Sequence, residues 1–204
     1  MRQKGFAALM ITALLLTACG SGGDANRAAA FCAALQSTQV QAAAEVTALY
    51  DDAVETFTLA LTETDGVSEL EVLAPELIAG VRAHVNAGET TLEFDGVVLP
   101  APLEPGGISP LMALPMVLRA ARTGHLDLVW QEGEYLVLQL IPEDDLAVRL
   151  YLDAADTPAY AEIIREDAAA VRCTITQWNE TGSDIDDEQN DPNLGGDQSQ
   201  HPGT

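Results

Sequence analysis

The chain has 204 residues, of which nine are basic and 32 acidic, giving a net charge of −23. A surface this acidic repels phosphate backbones and has no basic patch to offset that, so nucleic acid is excluded as a partner. The length suits one domain with a real core.

The first segment reads as an export signal. Arg2 and Lys4 form a short positive region, and Phe6 to Leu16 is apolar apart from Thr12. That run is too short to span a bilayer, which takes about 20 apolar residues, but it has the length of a signal-peptide core. It ends in Leu16-Thr17-Ala18-Cys19, which resembles the lipobox of bacterial lipoproteins. The resemblance implies cleavage before Cys19, acylation of its thiol by a lipid such as palmitate, and anchoring outside the cytoplasm on a membrane of the bacterial envelope. Residues 1–18 are therefore set aside as a signal peptide. The mature chain then has no lysine, seven basic residues and a net charge of −25. Direct adhesion to anionic headgroups is disfavoured, which leaves the lipid as the anchor.

Residues 19–25 read as a lipidated, glycine-rich tether. Asn26 to Ser37 reads as one short amphipathic helix carrying Phe31 and Leu35, with Asn26 as its N-cap. Cys32 lies on it and Cys173 near the end of the domain. An even pair outside the cytoplasm can form a disulfide; the alternative is two small thiols in a core. Neither has a histidine or second cysteine at ligand spacing, so no metal site is expected.

From residue 40 to 178 a period of two dominates. Phe57, Leu59 and Leu61 alternate before a turn at Glu63-Thr64-Asp65-Gly66. Residues 69–72, 81–85 and 91–94 alternate again, and Asp95-Gly96 signals a hairpin. Further on, Leu126, Leu128 and Trp130 fall on one face, followed by residues 135–141, then Leu146, Val148, Leu150 and Leu152 on one face, then 160–165 and 171–178. Eight or nine short strands without crossover helices make an antiparallel meander, and one of this size tends to curl into a full or partial barrel. One insertion, residues 106–124, reads as a helix. Ser109 is its N-cap, Pro110 its first residue and Gly124 its C′ residue, with Leu111, Leu114, Leu118 and Ala121 on one stripe. Pro115 requires the helix to start after it or kink there. Residues 179–204, acidic and nearly free of large apolar side chains, are expected to be disordered.

A lipobox, a short N-terminal helix, a long meander and a mid-chain helical insertion together resemble the LolA/LolB/LppX-like lipoproteins. The resemblance spans residues 26–178 and rests on element order, above all on Leu92 to Gly124. It implies an α+β fold: a curved antiparallel half-barrel covered on its concave face by one or two short helices. In several members that fold carries acyl chains in an apolar cavity. Here Phe57, Leu59, Leu61, Leu92, Phe94, Leu128, Trp130, Leu138, Val148 and Leu150 would line the cavity, under a lid of Met112, Leu114, Met116 and Leu118. The same residues could instead form a filled core, in which case the chain would be a sensor or interaction lipoprotein with an envelope protein or peptide partner. Carrier members close their lid with an arginine; Arg82, Arg119, Arg122 and Arg149 all compete for that role and none matches a motif.

Catalytic patterns are not found. His84, His125 and His201 stand apart from any nucleophile, and no phosphate-loop, dinucleotide-binding, metalloprotease or hydrolase motif occurs. The acidic runs at 51–52, 143–145 and 184–188 read as solvated turns or tail. No enzyme activity and no cofactor are expected.

Overall fold

The computed structural model describes residues 21–50, 53–86, 89–101 and 108–182. Cys19, Asp51, Asp52, His201 and the acidic run at 184–188 lie outside these residues. Among the described residues, eleven strands form one open sheet in which every neighbouring pair is antiparallel. This is consistent with a curved half-barrel. Two meanders build it. Strands β1 (Thr38–Leu49), β2 (Val54–Thr64), β3 (Val67–Ala74), β4 (Arg82–Asn86), β5 (Glu89–Phe94) and β6 (Val97–Pro100) step outward in one direction. Strands β7 (His125–Glu132), β8 (Tyr135–Glu143), β9 (Leu146–Leu152), β10 (Pro158–Arg165) and β11 (Ala168–Gly182) step back from the other edge, and β11 pairs with β1 to join the halves. The Asp-Gly hairpin signals are met: Asp65 and Gly66, and Asp95 and Gly96, all take positive φ, the geometry a two-residue hairpin turn requires.

Helix α1 (Ser21–Leu35) and helix α2 (Ala113–Thr123) pack on the same face of the sheet, the inner face. Among the described residues no helix is long and apolar enough to cross a membrane. The inner face is read directly from strand alternation. Val40, Ala42, Ala44, Val46 and Ala48 of β1 are buried, as are Leu146, Val148, Leu150 and Leu152 of β9. Small alanines on the central strand leave room for helices above it. On α2, Leu114, Leu118 and Ala121 are buried, so the expected stripe is the docking face, while Leu111 is only half-buried. Each leucine sealed there contributes roughly 1.5–3 kcal/mol.

Several expectations are corrected. Helix α1 starts at Ser21, so part of the supposed tether is helical and Asn26 lies inside the helix rather than capping it. Strand β11 runs to Gly182, so the first residues assigned to the tail belong to the sheet. Pro115 neither kinks α2 nor delays it. It sits in the first turn, where a backbone N–H would lack an intrahelical acceptor anyway. A 3-10 turn over Pro110–Met112 precedes the helix, and Ser109 accepts through its carbonyl, not its side chain. Gly124 is extended, with φ −69°. Its value is steric: a Cβ there would lie 2.4 Å from the Ala120 carbonyl oxygen.

Candidate functional site

Successive rows across the sheet show which side chains share the inner face. One row joins Leu61, Leu70, Ala83, Leu92 and Leu99 through β2 to β6. The next row toward the β5–β6 turn contains Leu59, Val72, Phe94 and Val97. Helix packing is concentrated on β1 and β7 to β11, and the rows run out beyond it. Leu59, Leu61, Leu70, Val72 and Ala83 are buried, and Leu92 is half-buried. Farther out, Phe94 is 51 %, Val97 58 % and Leu99 59 % exposed. The apolar inner face therefore continues past its helical cover onto the outer wing of the sheet.

The expected lining residues divide between these two zones. Leu59, Leu61, Leu114, Leu118, Leu138, Val148 and Leu150 belong to a packed core, with Met112 buried and Phe57 and Met116 packed at its margin. Leu92 and Phe94 belong to the open wing. Leu128 and Trp130 belong to neither. A β-bulge between Leu126 and Leu128 shifts the register, so Leu126 pairs with Leu140 and Val129 with Leu138 on the inner face. Leu128 pairs with Gln139 and Trp130 with Val137, which puts both on the outer face.

That outer face carries its own row: Trp130, Val137, Tyr151 and Tyr160. The Tyr151 and Tyr160 rings meet edge to face at 5.2 Å, and the Arg149 guanidinium lies 5.9 Å from the Trp130 ring centre. Burial, reinforced by the Glu162 carboxylate, pushes the Tyr160 hydroxyl up to about 12. His84 faces Glu69 across β3 and β4, at 3.7 Å, and His125 is exposed at the start of β7.

At the other end of the strands the inner face turns polar. Val40, Glu63, Ser68, Val85 and Thr90 form one row, and Glu63, Ser68 and Thr90 are all buried. Of the competing arginines, Arg122 meets this row: its Nη2 lies 2.6 Å from Glu63 Oε2. Arg122 also donates to the carbonyls of Leu35 and Thr38, at 2.9 and 2.6 Å, tying α2 to the end of α1. Arg82 pairs loosely with Glu71, Arg119 bonds Glu143, and Arg149 lies near Glu162. The sequence reading missed Glu63 as a site residue. Its signal was a carboxylate two positions beyond Leu61 on an otherwise apolar face.

A groove of about 490 Å³ opens beside α1, lined by Arg27, Phe31 and Ala34 of the helix, Asp156 of the β9–β10 turn, and Trp178 and Glu180 of β11. Arg27 bridges it to Asp156. Cys32, half-buried on α1, and Cys173, buried on β11, are both free thiols. Burial raises both; Cys173, sealed on the inner face of β11, is pushed up to about 12.

No family model matches the chain, and no curated protein does. Solved structures do. An uncharacterized conserved protein of Thermus thermophilus is 14 % identical, covering 78 % of this chain and 88 % of its own, with TM-score 0.46. A LolA superfamily protein of Nitrosomonas europaea is 12 % identical over 78 % and 92 % of the two chains, with TM-score 0.40. LprF of Mycobacterium bovis is 11 % identical over 78 % and 93 %, also with TM-score 0.40.

Proposed function

We propose that this chain is an extracytoplasmic lipoprotein of the bacterial envelope, held at a membrane through acylated Cys19, that binds or carries an apolar ligand on the inner face of a curved half-barrel. The ligand is a lipid or acyl chain, and the role is non-catalytic. One observation carries the reading: the apolar rows of the inner face leave the cover of the helices and end in Phe94, Val97 and Leu99, each more than half exposed. Edge strand β6 is short and ends in Pro100, which limits pairing along its edge, but its Val97, Val98 and Leu99 side chains bring no charge to the faces they occupy. Apolar surface of this kind marks an interaction site, and its burial by a ligand recovers roughly 25 cal/mol per Å².

A second reading has its own observation. Leu138, Val148 and Leu150 are sealed under the helices, as in a filled core. That favours an interaction or sensor lipoprotein whose exposed wing meets a protein partner. Titration of the purified full chain with a fluorescent fatty acid separates the two. Saturable binding lost in Leu99→Glu supports the ligand reading; no saturable binding by a correctly folded chain supports the protein partner.

A further inference from the structure

The outer face of the sheet, opposite the helices, carries two parallel tracks that cross strands without a break. The first is aromatic: Trp130, Val137, Tyr151 and Tyr160 lead from β7 to β10, and Thr174 of β11 extends it toward β1. The second is polar: Gln139, Arg149, Glu162 and Arg172 lead from β8 to β11, and Thr47 and Thr56 extend it over β1 and β2. Two residues separate the tracks along each strand, which sets them about 7 Å apart. Followed from β7 to β2, across seven strands, they run for about 29 Å.

Both tracks are held in place by their own contacts. Tyr151 meets Tyr135 and Tyr160 edge to face, at 6.3 and 5.2 Å, and all three rings and Trp130 stay half-buried. Val137, flanked by Trp130 and Tyr151, is fully buried although it lies on the outer face. The surface offered there is therefore aromatic ring, apolar in its body and wet at its tip. On the polar track Gln139 donates to Asp127 at 3.0 Å and accepts from Arg149 Nε at 3.3 Å. Arg172 Nε donates to Glu162 at 3.3 Å, and Arg149 Nη1 lies 3.9 Å from the same carboxylate. Side chains already ordered in this way lose little freedom when a ligand arrives. The two guanidinium groups remain 40 % and 50 % exposed and keep further N–H donors. Their charges cancel those of Asp127 and Glu162, in a chain whose net charge is −23. A patch that is neutral in so acidic a chain matches an uncharged partner: an anion meets the repulsion of the whole chain, and a cation is drawn to carboxylates elsewhere. A pyranose sugar is uncharged, with an apolar C–H face and a rim of hydroxyls, and a chain of them has the shape of these tracks.

We propose that the outer face of β7 to β11 is a docking track for an uncharged glycan strand, whose sugar rings lie on Trp130, Tyr151 and Tyr160 and whose hydroxyls bond Gln139, Arg149 and Arg172. The track lies on the opposite side of the sheet from the apolar wing and is independent of the ligand proposed there.

The test is calorimetric titration of the purified full chain with three hexasaccharides: cellohexaose and chitohexaose, both uncharged, and the polyanion hexagalacturonate. The expected result is saturable binding of at least one neutral hexamer, about tenfold tighter than that of hexagalacturonate. Trp130→Ala should weaken it about tenfold, the scale of one lost aromatic contact, and Trp130→Phe should retain most of it. Arg149→Met, which keeps the stem and removes the donors, should also weaken it, whereas Leu99→Glu on the opposite face should leave it unchanged. Urea midpoints check that each variant is folded. If Trp130→Ala does not fold, Arg149→Met decides. Failure of both neutral hexamers to bind the folded chain overturns the proposal. Equal or tighter binding of hexagalacturonate overturns it, as does neutral-hexamer binding that is unchanged in the folded Trp130 or Arg149 variant. Binding lost in Leu99→Glu instead would place the glycan on the inner face and overturn it equally.

Discussion

Arg122 on α2 and Glu63 on β2 form a charge pair inside the protein, 2.6 Å apart, with side chains only 17 % and 3 % exposed. The arginine also collects the carbonyls of Leu35 and Thr38, so one side chain joins both helices to the sheet. Removing one partner of such a pair leaves the other buried without compensation. Arg122→Ala should cost about 3 kcal/mol, read as a lower urea midpoint. Arg122→Ala with Glu63→Leu together should recover part of that loss, because no lone charge then remains.

Gly124 is required by a close approach and not by an unusual φ. A Cβ at this position would collide with the Ala120 carbonyl, which is backbone and cannot swing aside. Gly124→Ala should therefore destabilise the chain by about 1–3 kcal/mol, the usual cost of overpacking, despite the higher helix propensity of alanine. Thermal unfolding of the variant checks this.

The two cysteines predict both reactivity and pH behaviour. Cys173 is fully buried with its thiol pushed up to about 12, so it should resist alkylation in the native chain and react on unfolding. The unfolded thiol ionises near its ordinary value of 9.0, whereas the folded one stays protonated until about 12. The stabilising contribution is complete below pH 9 and lost as pH rises toward 12, because the unfolded state sheds its proton first. Tyr160, raised from 10.0 to about 12, acts in the same direction over its own window. The urea midpoint should fall above pH 9, with part of the fall absent in Cys173→Ala.

Much of this fold was legible because period-two alternation and Asp-Gly turns are local signals. Strands β2, β8 and β9 follow directly from their leucines and valines. Strand β1 was not singled out because its inner residues are mostly alanine, which has little strand preference of its own. Its position between β2 and β11 imposes the conformation. The face of Leu128 and Trp130 was misread for a different reason: one bulged residue inverts everything after it, and nothing local in Leu126 to Trp130 announces a bulge. Within the site, Leu92 and Phe94 were found from alternation. Thr90 and Ser68 were not, because their burial depends on what covers the row.

Anchoring at Cys19 has a direct test. Cells fed an alkyne-bearing palmitate analogue should yield a labelled chain that fractionates with membranes. Cys19→Ser should abolish the label and release the chain from the membrane fraction. A labelled Cys19→Ser chain, or an unlabelled native one, would rule out acylation at this residue.

The exposed end of the inner face is proposed to hold a lipid. Mass spectrometry of organic extracts from the purified full chain, compared with Leu99→Glu prepared identically, tests it most directly. Near-stoichiometric non-covalent lipid is expected from the native chain and a marked depletion from the variant, with equal urea midpoints. Lipid-free extracts from a folded native chain, or equal lipid from both proteins, would contradict it.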